Sequence, residues 1–255
     1  MSKTDEETPT RPRINWTELI TIWLVLTAVT VAGSLLVIPR VMPRPASSTM
    51  HLVVLTMLVF SAAAAPVGSL VYATCAYSLR HWRHGSGDEP PPDGPSFRGN
   101  TALTSVWLSV SALLCVFLLV WGLAALAADD SVAGRATMQV DVTGQQWLWT
   151  FHYPGTAVTT EDLYLPEGRT VTFDVTSLDV THGFWIVQMG VKIDANPGVV
   201  TTVSVTPDRL GTYDIRCSEL CGLYHAFMTA QVHVVTPSQF ETWLGAQSEA
   251  EGAAR

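Results

Sequence analysis

Cys217-Ser-Glu-Leu-Cys221-Gly-Leu-Tyr-His225-Ala-Phe-Met228 sets two thiols, an imidazole and a thioether in one short run. Soft sulfur donors with imidazole suit copper, and zinc accepts the same set apart from the thioether. A mononuclear blue-copper site uses one Cys with His and Met, so the second cysteine exceeds that need. Three other readings compete. At steps of four, four and three, these side chains would line one stripe of a helix; Gly222 and the β-like flanks oppose it. A disulfide between Cys217 and Cys221 suits an oxidising compartment but leaves His225 and Met228 without a role. A structural zinc site is the third.

Outward from this run the sequence alternates with period two and is rich in β-branched and aromatic residues. Met138-Gln-Val-Asp-Val142, Thr170-Val-Thr-Phe-Asp-Val175, Val199 to Val205 and Ala230-Gln-Val-His-Val-Val235 are examples. Turn punctuation separates them at Pro154-Gly155, Pro166-Glu-Gly168, Pro197-Gly198 and Pro207 to Gly211. Short strands at this spacing predict a sandwich or barrel of roughly 100 residues. Pro237-Ser-Gln-Phe-Glu-Thr-Trp-Leu244 reads as a short closing helix with Ser238 as its cap.

That domain fills only half of the 255 residues. Apolar residues make up 48% of the chain and charged ones 14%, which excludes a disordered chain and argues against a freely soluble one. A net charge of −8 argues against nucleic acid as a partner, since phosphate binding needs a cationic surface. The charge is uneven: residues 1–128 carry eight Lys/Arg and seven Asp/Glu, residues 129–255 six and fifteen. Two physically different objects meet near Asp129.

In the first half, Leu19 to Pro39, His51 to Leu79 and Thr101 to Ala128 contain no Asp, Glu, Lys or Arg. Each reaches the roughly 20 residues a helix needs to span the hydrocarbon of a bilayer. Lys3, Arg11 and Arg13 precede the first stretch, and Arg80, Arg83 and Arg98 separate the second from the third, against Arg40 and Arg44 in the first connection. The positive-inside rule then puts the 1–18 tail and the 80–100 loop in the cytoplasm and residues 129–255 outside. Residues 19–39 also read as a signal peptide, because Pro45-Ala46-Ser47-Ser48 follows as a small-residue region; the length of the apolar core favours an anchor. Cys75 and Cys115, within the second and third stretches, read as inert packing residues.

The Cys217–Met228 run resembles the binuclear copper (CuA) loop of cytochrome c oxidase subunit II. The resemblance implies a membrane-anchored all-β fold: transmembrane helices followed by a cupredoxin-like Greek-key β-barrel. It implies that Cys217 and Cys221 bridge two copper ions and that His225 is a terminal ligand. Met228 is then a weak axial ligand and the Glu219 carbonyl the other axial donor. Leu178-Asp-Val-Thr-His182-Gly-Phe-Trp is similar to the family segment that supplies the second histidine, so His182 takes that role. Gly144-Gln-Gln-Trp147-Leu-Trp149 resembles the aromatic stretch whose first Trp, here Trp147, receives electrons. Read without the family, Trp147 and Trp149 at period two would face one side of a strand. The matching Glu side chain in the family also meets a Mg or Mn ion at the boundary with the catalytic subunit, a role that would fall to Glu219.

The function implied is electron acceptance from cytochrome c or a similar soluble carrier. The electron then passes to haem in catalytic subunit I of an oxidase, where oxygen is reduced to water. Twelve Arg against two Lys, with abundant Ala, Val and Gly, point to a GC-rich bacterial genome and hence a bacterial plasma membrane. The acidic outer half suits a cationic donor, with Asp179 and Glu219 as candidates for that surface. Two departures stand out. The first apolar stretch is additional to the family's two-helix hairpin, and Thr104 stands where the family commonly has a Glu associated with proton uptake. The copper subunit of a nitric oxide reductase would use the same site with a different catalytic partner. A membrane-tethered copper carrier or assembly factor would bind one ion at an exposed site, against which the paired cysteines and the distant His182 argue.

Overall fold

The computed structural model describes residues 14–81 and 99–253. Lys3, Arg11, Arg13, Arg83 and Arg98, on which the orientation argument leans, lie outside them. Three long helices come first: α1 (Trp16–Val41), α2 (Ser48–His81) and α3 (Thr101–Ala133). Each is long and apolar enough to cross a membrane. They overrun the uncharged stretches because polar residues cap and extend their ends. Asn15 accepts from the Glu18 N–H at 3.3 Å and Asn100 from the Leu103 N–H at 3.1 Å. α3 runs through Asp129 and Asp130, the expected meeting point, and ends before Gly134.

α1 lies along α2. Ala65, Ser69, Ala73 and Tyr77 recur every four residues on α2 and are buried, so small side chains let the helices approach. Polar contacts fix the pair at three levels. The Asn15 N–H donates to the Tyr77 hydroxyl at 2.8 Å, Glu18 lies 3.1 Å from His81, and the Trp23 indole donates to the Pro66 carbonyl at 2.8 Å. Cys75 and Cys115 are exposed on their helix surfaces, which corrects the expectation that they pack.

Ten strands follow: β1 (Met138–Gln145), β2 (Leu148–His152), β3 (Thr159–Thr160), β4 (Leu163–Pro166), β5 (Val171–Ser177), β6 (His182–Ile186), β7 (Val191–Ala195), β8 (Thr201–Val205), β9 (Gly211–Cys217) and β10 (Thr229–Val235). They form two five-stranded sheets, ordered β3-β2-β1-β5-β8 and β4-β10-β9-β6-β7. β1 pairs parallel with β5 and β10 parallel with β4; the other pairings are antiparallel. Alternation does the sorting: along β5, Val171, Phe173, Val175 and Ser177 are buried while the residues between them are partly exposed. Phe184 of β6 meets Trp149, Phe151 and Phe173 of the opposite sheet with ring centroids 5.5–6.2 Å apart, closing the cupredoxin-like barrel.

The closing helix, α4 (Pro237–Ala253), is longer than the sequence suggests, and its cap is Thr236, not Ser238. The Thr236 hydroxyl accepts from the Gln239 N–H at 3.3 Å while the Gln239 side chain accepts from the Thr236 N–H at 3.1 Å. That reciprocal box places Pro237 at the first helical position, where its missing N–H costs nothing.

The barrel is clamped to the head of α2. Ala46 and Ser47 are fully buried. The Ala46 N–H donates to the Gln188 carbonyl at 2.9 Å, and the Ser47 hydroxyl donates to the Met189 carbonyl at 2.6 Å.

Candidate metal centre

Strand pairing assembles the site. β6 and β9 are antiparallel neighbours with Phe184 opposite Cys217, which brings His182, at the start of β6, to the end of β9. The chain then crosses the open end of the barrel from Ser218 to Met228 and returns as β10. Two main-chain bonds close the crossing: the Cys217 N–H donates to the Met228 carbonyl at 3.1 Å and the Ser218 N–H to the Gly183 carbonyl at 2.9 Å. Gly183 must lack a side chain, since a Cβ there would fall 2.2 Å from the Ser218 hydroxyl. Gly222 has φ of +117°, and a Cβ on it would press on Gln146 and Trp147.

The six expected donors converge. The Cys217 and Cys221 Sγ atoms lie 3.7 Å apart, as free thiols. His182 Nδ1 is 3.9 Å from Cys217 Sγ, and His225 Nδ1 is 3.6 Å from Cys221 Sγ. Met228 Sδ is 3.8 Å from Cys221 Sγ and the Glu219 carbonyl 3.2 Å from Cys217 Sγ. His182, Cys217, Cys221 and Met228 are buried, whereas His225 is partly exposed. The helical-stripe reading fails here, because the loop holds only a 3₁₀ turn at His225–Phe227.

Trp147 does not share a strand face with Trp149. It occupies the turn between β1 and β2, half-buried, and its indole donates to the Cys221 carbonyl at 3.3 Å while its ring meets Tyr224 edge-on at 4.8 Å. Trp149 is buried against the His182 ring, centroids 5.9 Å apart. The sequence reading passed over Gln146, whose side chain donates to the same Cys221 carbonyl at 2.8 Å. Its only signal was adjacency to Trp147.

Two titrating groups are displaced. Burial pushes the Cys221 thiol up, and the neighbouring Cys217 thiol adds to it, giving about 11. Partial burial would raise the Asp179 carboxyl, but hydrogen bonds from the Gln146 N–H, His182 and the Val180 N–H outweigh it and hold it at about 2. The Glu219 carboxylate lies 3.8 Å from the Lys192 ammonium. Thr104 is exposed in the first turn of α3.

Residues 156–235 match the family described as "Cytochrome C oxidase subunit II, periplasmic domain". The outer domain of the chain is of the cytochrome c oxidase subunit II family. A cytochrome c oxidase subunit 2 of Thermostichus vulcanus is 43% identical over 119 residues, covering 46% of this chain and 36% of that relative. One from Alkalihalophilus pseudofirmus is 32% identical over 192 residues, covering 72% of this chain and 56% of the relative. The chain thus spans between about a third and somewhat over half of these two relatives' lengths. Among solved structures, the periplasmic domain of subunit II of cytochrome oxidase of Bradyrhizobium japonicum shares 30% identity, with a TM-score of 0.42, 45% of this chain and 96% of that one covered. Members of the family are subunits of an oxidoreductase complex, and a membrane-anchored chain with an extracytoplasmic barrel fits that membership.

Proposed function

We propose that the chain is the electron-accepting subunit of a bacterial cytochrome c oxidase. It takes electrons from cytochrome c or a similar carrier at a binuclear CuA centre and passes them to haem in catalytic subunit I. The observation that carries this reading is the order of donors: imidazole, thiol, thiol, imidazole, at successive separations of 3.9, 3.7 and 3.6 Å. One metal would need only one end of such a row, whereas His182, Cys217, Cys221 and His225 together would hold two. The softness of the set and the thioether at Met228 favour copper over zinc. Bound there, a copper pair would supply a one-electron couple whose charge change is spread over two metals.

The remaining work is done by the protein. Burial of His182, Cys217, Cys221 and Met228 excludes water and fixes the ligand positions. Rigid strand ends hold them, so little has to move between oxidation states. Trp147 links the surface to the site through its bond to the Cys221 carbonyl. Around it Leu220, Leu223 and Phe227 are 77–85% exposed and Tyr224 about half exposed, an apolar collar suited to a docked carrier. Glu219, partly exposed beside Lys192, would need oxygen ligands from the catalytic subunit to hold a Mg or Mn ion.

Replacing either bridge tests the reading. Cys217→Ser and Cys221→Ser should each abolish the copper pair and its visible absorption. A serine variant that keeps two coppers per chain would contradict the ligand assignment.

A further inference from the structure

Asp179 lies in the bend between β5 and β6, three residues before His182. Its Oδ1 accepts from the Val180 N–H at 2.6 Å and lies 2.9 Å from His182 Nε2. Its Oδ2 accepts from the Gln146 N–H at 2.7 Å. His182 is wholly buried, so its Nε2 proton has no water to bond and its partner is this carboxylate. A proton held on Nε2 leaves the lone pair on Nδ1, the atom that faces Cys217. The other carboxylate oxygen grips the backbone of the turn that carries Trp147, and Gln146 and Trp147 both donate to the Cys221 carbonyl. One carboxylate therefore joins a ligand ring to the turn that meets the donor.

We propose that Asp179 is a positioning residue of the metal centre: it fixes the tautomer and angle of His182 and ties the Trp147 turn to that ring. This rests on the copper-centre reading. It adds to the expectation that Asp179 belongs to the acidic surface for the donor, since a carboxylate bonded on both oxygens keeps its charge. A carboxylate behind a ligating imidazole makes it a stronger donor and favours the oxidised metal. Removing the charge should therefore raise the midpoint potential.

The test uses the full chain in detergent, loaded with copper, as wild type, Asp179→Asn, Asp179→Ala and the exposed-acid control Glu161→Gln. Copper content, absorption, midpoint potential and the rate of reduction by cytochrome c are read. Asp179→Asn keeps one acceptor oxygen, enough for the Val180 N–H and His182 Nε2, while its NH2 group replaces the oxygen that accepts from the Gln146 N–H. It should keep its copper while the reduced-to-oxidised ratio at fixed potential rises about tenfold, about 59 mV for one electron. Asp179→Ala should lose copper affinity by about 10- to 100-fold and accept electrons more slowly. Glu161→Gln should change neither. Wild-type potential and absorption in both Asp179 variants, with only the salt dependence of the encounter altered, would make Asp179 a docking charge and overturn the proposal. If neither variant folds, the wild-type His182 Nε2 proton decides, followed by NMR after transfer to D2O. Slow exchange supports the bond to Asp179, and exchange at the solvent rate refutes it. The metal-free chain gives the same reading, so a failure to bind paired copper would count against the copper centre and leave the Asp179 contact separately testable.

Discussion

The Cys221 carbonyl accepts from both Gln146 and Trp147, at 2.8 and 3.3 Å, and so joins the turn between β1 and β2 to a proposed metal ligand. Trp147→Phe removes one of these donors and the indole, while leaving every ligand in place. Reduction by the donor should slow, with copper content unchanged; stopped-flow reduction of the loaded chain checks it, and equal rates would take Trp147 out of the path. Cys221 adds a pH dependence. A thiol held up to about 11 is protonated in the metal-free protein at neutral pH and must lose its proton to ligate. Copper uptake should therefore release protons and tighten as pH rises towards that value, measurable by titrating uptake in weakly buffered solution. Asp179 works in the opposite direction. Its carboxyl is depressed from 3.8 to about 2, so its contribution to the fold is present above the higher value and lost as pH falls through the lower. In acid unfolding of the metal-free chain, Asp179→Asn should remove part of the loss seen in that window.

At the scale of elements, the register of β6 on β9 makes the site possible. Phe184 sits opposite Cys217, fully buried among three aromatic rings from the facing sheet. Phe184→Ala should cost about 3–5 kcal/mol by opening a cavity there and should loosen copper binding as well. Thr236→Ala breaks only the capping box of α4, for about 1 kcal/mol, and should leave the copper spectrum untouched. Thermal unfolding of both variants separates the effects. Much of this layer was legible in the residues. Period-two alternation marked β1, β5 and β10, and the crowding of Cys217, Cys221, His225 and Met228 into one loop marked the site before any fold was known. What alternation conceals is pairing: nothing local distinguishes the parallel neighbours β1 and β5 from a hairpin. The same blindness left a shared strand face open as the competing reading of Trp147 and Trp149, since a two-residue turn between aromatic strands keeps the spacing of a strand. The bond from Asp179 to His182 was hidden for a related reason. A spacing of three in a bend says nothing about direction until the backbone is traced.

For the whole molecule, the membrane and outer halves are joined through Ala46 and Ser47, buried where small residues had suggested a cleavage region. A cut between them would leave a new charged amine in a site without water, and it would strip α2 of the partners that Tyr77, His81 and Pro66 find on α1. The mature chain should therefore retain α1. Intact-mass measurement on purified membranes should show it, and a mass lower by the first forty-odd residues would contradict it. The outer half carries six Lys/Arg against fifteen Asp/Glu, yet Leu220, Leu223 and Phe227 beside the site are apolar. Charge at a distance should steer a cationic donor and apolar contact should hold it. Raising salt should then slow association more than it speeds dissociation. All of this serves one arrangement, two sulfurs set between two imidazoles. The most direct measurement is copper counted per full-length chain together with electron paramagnetic resonance of the oxidised protein. Two coppers sharing one spin, with hyperfine structure from both nuclei, is the predicted result. A single copper per chain with the spectrum of an isolated Cu(II) would contradict it.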